Sequence, residues 1–216
     1  MPNHVMNKMW ISGDPKLIDE LMLKVTTGES EFDFNGIIPM PKSLDIEEGS
    51  RTDKGESLYR DFLALIEKGA GMYEAEAIVT NGDEEKTKTL ELGKTAISNK
   101  HLYGARSWYD WCIKNWGTKW NAYDITVDRD EPDQVRICFC TAWTEPYPIF
   151  FELNEQYPDL DIYVEFANED LGNDCGYFQN GDLYEPEGNA VMYAAEVWGY
   201  TEEEVREWYG DDIFKE

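Results

Sequence analysis

From His4 to Ser12 the chain reads His-Val-Met-Asn-Lys-Met-Trp-Ile-Ser, a pattern that predicts a first strand. Asp14-Pro15 then supplies an N-cap and a proline at the first helical position. Leu17, Ile18, Leu21 and Val25 follow at helical spacing, and Gly28 closes the element. The run Phe32-Asp33-Phe34-Asn35-Gly36-Ile37-Ile38 alternates, becomes continuously apolar and ends at Pro39-Met40-Pro41. It predicts a second strand with a stiff exit. Residues 42–56 are polar and read as a loop. A stripe of Leu58, Phe62, Leu65 and Ile66 predicts a helix over 57–68. Residues 85–116 read as helical with a break at Tyr103-Gly104, and Trp108, Trp111, Cys112 and Trp116 are expected in the core.

After Gly117 the period changes from helical to two. Residues 120–127 and 135–142 predict strands joined by the acidic turn Asp128-Arg129-Asp130-Glu131-Pro132-Asp133. A helix is predicted over 146–157, where Ile149, Leu153 and Tyr157 share a face, followed by an alternating strand over 160–166. Asn180-Gly181 inside 175–184 is a two-residue hairpin signal. Helices close the chain at 189–198 and 201–209, the second with Thr201 and Glu204 as a capping box and Val205, Trp208 and Tyr209 as its buried face. The expected class is α+β, an antiparallel sheet with helices on one face and a ββαββ order in the C-terminal part. The division expected is 1–104 and 105–216, two regions free to intertwine as one domain.

Charge changes the picture more than any motif. The 216 residues carry 45 Asp+Glu against 19 Lys+Arg, a net of -26. Residues 1–120 hold 20 acids and 15 bases, whereas residues 121–216 hold 25 acids and only Arg129, Arg136, Arg206 and Lys215. A field of one sign destabilises its own fold by self-repulsion, which a basic partner would offset. It also argues against direct binding of nucleic acid or anionic lipid, which needs Lys and Arg to neutralise phosphate. An aromatic content of 14% argues for a folded chain. No apolar run is long enough to span a membrane. Met1-Pro2-Asn3-His4 does not begin a secretory signal, so a cytoplasmic location is expected.

Candidate chemistry is sparse. Cys112, Cys138, Cys140 and Cys175 have no zinc spacing with His4 and His101, and they read as free, mostly buried thiols. Asp128, Asp130 and Asp133 fail as a calcium loop, because loop position six is Asp133 and position twelve is Phe139. Neither a phosphate-binding glycine loop nor a nucleophile elbow occurs, so no catalytic residue, metal or cofactor is assigned. The tryptophans at 108, 111, 116, 120 and 143 read as core packing rather than as a base-stacking platform.

Three segments carry a resemblance. Met1-Pro2-Asn3-His4-Val5 with Gly13-Asp14, Phe32-Asp33-Phe34 and Ile38-Pro39-Met40-Pro41 form the first. Residues 108–121, Trp-Tyr-Asp-Trp-Cys-Ile-Lys-Asn-Trp-Gly-Thr-Lys-Trp-Asn, form the second, and Thr141-Ala142-Trp143 leading into 146–157 the third. The chain in these respects resembles the YubB-like family of phage- and plasmid-borne proteins. The resemblance implies a ferredoxin-like C-terminal region and carriage on a mobile genetic element, and it transfers no functional residue.

Two functions follow as expectations. The first is a non-catalytic acidic protein, in one form a nucleic-acid mimic, that engages a basic, nucleic-acid-binding host protein of defence or regulation. Its candidate residues are Asp128, Asp130, Glu131 and Asp133 in the turn, and Glu202, Glu203, Glu207, Asp211 and Asp212 at the end. The second is a small-ligand module or enzyme with a pocket lined by Asn115, Lys119, Asn121 and Tyr123.

Overall fold

The computed structural model describes residues 3–214, without the side chains of Asp212 and Phe214. The chain divides into two compact units, residues 1–39 with 112–216, and residues 40–111. The limits are not at 104/105. The first 39 residues join the C-terminal part because their strand lies in the middle of its sheet.

The sheet unit contains β1 (His4–Ser12), α1 (Pro15–Val25), β2 (Tyr123–Asp128), β3 (Gln134–Ala142), α6 (Tyr147–Gln156), β4 (Asp161–Asn168), β5 (Cys175–Gln179), β6 (Asp182–Tyr184), α7 (Ala190–Trp198) and α8 (Glu202–Tyr209). Its strand order is β2-β3-β1-β4-β5-β6, with every neighbouring pair antiparallel. Taken along the chain, β1-α1-β2-β3-α6-β4 is the ferredoxin-like βαββαβ arrangement. Each of its two strand–helix–strand connections skips one position, which leaves β1 between β3 and β4. The C-terminal strands supply most of this arrangement, and β1 and α1 complete it, β1 as a central strand. The hairpin β5-β6 and helices α7 and α8 are additions.

Alternation along the strands divides the sheet into two faces. Val5, Asn7, Met9 and Ile11 of β1 are buried on the first face, with Ile137, Phe139, Val164 and Phe178. Helices α1 and α6 cover that face through Ile18, Leu21, Ile149, Phe150 and Leu153. The terminal helices lie on the second face, where Ala194, Ala195, Val197 and Val205 pack over Met6 and Ala167. The hairpin turns at Asn180 (φ 53°) and Gly181 (φ 88°), the paired left-handed conformations that an Asn-Gly turn supplies.

The helical unit contains α2 (Ser50–Glu67), α3 (Met72–Thr80) and α4 (Glu84–Tyr103), and its limit falls inside α5 (Trp108–Asn115). Helix α2 begins seven residues before the predicted start. Its buried side there is polar (Thr52, Gly55 and Glu56), so hydrophobic spacing does not reveal it. Gly55 meets Gly93 of α4 so closely that a Cβ on Gly93 would stand 1.9 Å from the Gly55 carbonyl carbon. Glu56 is held by Arg60 at 2.6 Å and by Arg106, which also binds Glu48 and Asp53. Helix α3 was not expected either.

Residues 32–38 are not a strand. Asp33 caps a 3₁₀ turn over Phe34–Gly36 by accepting from the Asn35 N–H, and its own N–H donates to the Val25 carbonyl at 2.8 Å. This local side-chain bonding outcompetes a sheet ladder. Phe32 and Phe34 are buried as expected, but against Phe139 and Trp116 rather than in a strand pair.

Candidate functional site

The second face of the sheet is only partly covered. Beyond the patch under α7 it carries a row of aromatic rings that crosses four strands. Trp10 stands opposite Tyr163, and Tyr177 opposite Tyr184, while Tyr163 and Tyr177 are diagonal neighbours. Successive ring centroids are 5.7, 5.8 and 5.1 Å apart. Those are the separations that cross-strand pairing imposes on large side chains of one face. Trp10, Tyr163 and Tyr177 are half-buried, and Tyr184 is 42% exposed.

Charges border the row. Arg136 is the β3 partner of Trp10, and it donates to Asp128 at 2.5 Å. Lys8 donates to the Glu196 carbonyl at 3.2 Å. Glu165 lies opposite Tyr177 and accepts from the Tyr163 hydroxyl at 3.1 Å. Burial, with the negative charge of Glu165 added, pushes the Tyr163 phenol up to about 12. Asp161 and Asp182 are exposed on the same face. At the Trp10 end a cavity of about 400 Å³ opens, lined in part by Trp10, Ser12, Asp128, Asp130, Glu131 and Arg136.

The fold therefore brings most of the acidic turn to one end of the aromatic row. The register does this, because the β2–β3 turn lies beside the end of β1, where the Gly13 N–H donates to the Asp133 carbonyl at 3.0 Å. The second acidic group stands elsewhere. Glu202, Glu203, Glu207 and Asp211 are exposed on and after α8, and none of them lines the cavity at Trp10. The side chain of Asp212 lies outside the described residues. Trp208 and Tyr209 were expected to be buried with Val205, but they are 54% and 42% exposed. Val205 is the buried residue of α8, and Trp208 meets Tyr200 edge-on at 5.0 Å. A further cavity of about 430 Å³ beside α7 is lined by Glu187, Asn189, Tyr193, Glu196 and Tyr200 among others.

The four residues of the alternative pocket have structural employment. Asn115 ends α5. Lys119 places its ammonium 4.7 Å from the Trp120 ring centre and 5.0 Å from that of Trp143. Asn121 accepts from the Phe34 and Ala122 N–H groups, both at 2.9 Å, and donates to Asp33 at 2.7 Å. Tyr123 donates to the Thr141 carbonyl at 3.0 Å and lies 2.6 Å from His4 Nδ1. Burial raises the Tyr123 phenol. Of the cysteines, Cys112 is pushed up to about 12 and Cys140 to about 11 by burial, the behaviour of unreactive thiols. Among the described residues, no group of three or more His, Cys, Asp or Glu side chains is placed to hold a metal ion, and no helix is long and apolar enough to cross a membrane.

The acidic turn is legible as a run of charges in the sequence, whereas the aromatic row is not. Its members sit at the outward positions of alternating strands, where charged or small polar residues are the rule. That anomaly was the available signal.

Residues 116–210 match the family described as the ferredoxin-like domain in Api92-like protein. The crystal structure of the protein api92 from Yersinia pseudotuberculosis superposes with a TM-score of 0.46 at 15% identity, covering 87% of this chain and 99% of that one. No curated protein matches the chain.

Proposed function

We propose that this chain is a non-catalytic binding protein that offers carboxylates to a basic, nucleic-acid-binding protein. One observation carries the reading. Residues 121–216 hold only four bases, and the three that the structure describes are each in an ion pair within the chain. Arg129 pairs with Asp19, Arg136 with Asp128, and Arg206 with both Glu202 and Asp211. The 25 acids of this stretch exceed its four bases by 21 and stand largely on the surface. Such a field accelerates association with a cationic partner and makes it depend steeply on salt. The resemblance to the YubB-like family supports a setting on a phage or plasmid, with a host defence or regulatory protein as target and mimicry of nucleic acid as the mode.

The test is competition. An immobilised chain is loaded with a Lys/Arg-rich DNA-binding protein at 50 mM salt and challenged with duplex DNA, then with 0.5 M salt. The expected result is release by both. Glu203→Lys with Glu207→Lys should slow loading without lowering the melting temperature, because both side chains are exposed and neither is paired with Arg206. Failure to load at 50 mM salt would overturn the reading.

A further inference from the structure

We propose that the open half of the second sheet face is the contact surface itself, and that it takes an extended, arginine-bearing segment of the partner. The inference rests on the reading above and deepens it.

Four aromatic rings in a row with 5.1 to 5.8 Å between centroids offer π faces and edges at regular steps. Such faces attract cations, most strongly a guanidinium, which stacks flat as an ammonium does not. An extended segment repeats its same-side side chains every ~7 Å, so alternate residues can reach successive rings. Carboxylates stand where the other edge of each guanidinium would point. Asp128, Asp130 and Glu131 close the Trp10 end, and Asp161, Glu165 and Asp182 border the row. Arginine alone among the side chains combines a stacking plane with a fork that fits a carboxylate.

Other occupants fit less well. Single-stranded nucleic acid also stacks on aromatic rows, but its phosphates would face these carboxylates, and Lys8 and Arg136 are already engaged. A second copy of this chain would bring the same acidic face to an acidic face.

The test uses labelled octapeptides of alternating Arg and Ser, or of Lys and Ser, with a dodecamer of thymidylate as a third ligand, by fluorescence anisotropy at 150 mM salt. The Arg peptide should bind about fivefold more tightly than the Lys peptide, the difference a stacked guanidinium supplies. In a Tyr177→Leu/Tyr184→Leu variant, which keeps apolar bulk but leaves only the Trp10 and Tyr163 rings, that preference should fall to about twofold while Lys-peptide binding persists. Amide shifts on adding the Arg peptide to the unaltered chain should map to Trp10, Tyr163, Tyr177 and Tyr184, which tests the site even if the variant folds poorly. Equal affinity for the two peptides, with loading still slowed on reversing Glu203 and Glu207, would sink this inference and leave the acidic-protein reading standing. Binding of neither peptide defeats both. Tighter binding of the oligonucleotide also overturns the inference.

Discussion

Replacing Asn121 by alanine separates a latch from a pocket residue. The side chain makes three hydrogen bonds, from Phe34 N and Ala122 N at 2.9 Å each and to Asp33 at 2.7 Å. Truncation removes them all and leaves the N–H of Phe34, a residue with 0% exposure, without its acceptor. Net hydrogen bonds are each worth about 1 kcal/mol, and an orphaned buried donor costs about 1–3 kcal/mol. The sum is on the order of 3 kcal/mol, with the loss concentrated in the 32–38 turn. For a unit of this size that lowers Tm by roughly 6–12 °C, which thermal denaturation by circular dichroism measures directly. Asn121→Asp sharpens the test. It keeps the acceptor but sets a carboxylate against the Asp33 carboxylate, so its folded-state pKa must rise. A carboxyl with a raised folded-state pKa is tolerated when protonated, so the deficit against the parent should be smallest below about pH 4. It should grow as pH rises and be complete above the raised pKa. A melting temperature for Asn121→Ala within 2 °C of the parent would refute the latch, as would a deficit for Asn121→Asp that does not shrink in acid.

Gly93→Ala should disrupt the helical unit alone, since the new Cβ would overlap the Gly55 backbone at 1.9–2.0 Å. A cost of about 3 kcal/mol or more is expected, read as lost hydrogen-exchange protection in α2 and α4 with β1–β4 unchanged. Val205→Ala should cost about 2 kcal/mol by opening the packed cluster under α7. Trp208→Ala should cost under about 1 kcal/mol because the ring is 54% exposed; the opposite ranking in urea titrations would restore Trp208 to the core. Tyr163 is held protonated to about pH 12 in the folded chain. An acid whose folded-state pKa is raised contributes stability below its unfolded value, near 10, and loses it as pH climbs toward 12. Tyr163→Phe should therefore flatten the fall in stability between about pH 10 and 12.

Where hydrophobic spacing is local, sequence alone settled the outcome. The alternation in β1, β3 and β4, the Asp14-Pro15 start of α1, the Asn180-Gly181 hairpin and the Thr201/Glu204 capping box were all legible, because each is decided within a few neighbouring residues. The charge asymmetry and the exposed acids of the 128–133 turn were legible for the same reason. Other features depended on partners distant in the chain. The polar start of α2 is helical because Gly55 fits Gly93 and because Glu56 meets Arg106, 50 residues away. The 32–38 segment turns instead of extending because Asn121, 87 residues beyond Phe34, accepts its N–H. Strand β1 belongs with β3 and β4 through pairings that span more than 120 residues. Sequence marked Trp10, Tyr163, Tyr177 and Tyr184 only as outward positions on separate strands. Their assembly into one row was decided by strand order and register, which long-range hydrogen bonding sets and which no local pattern encodes.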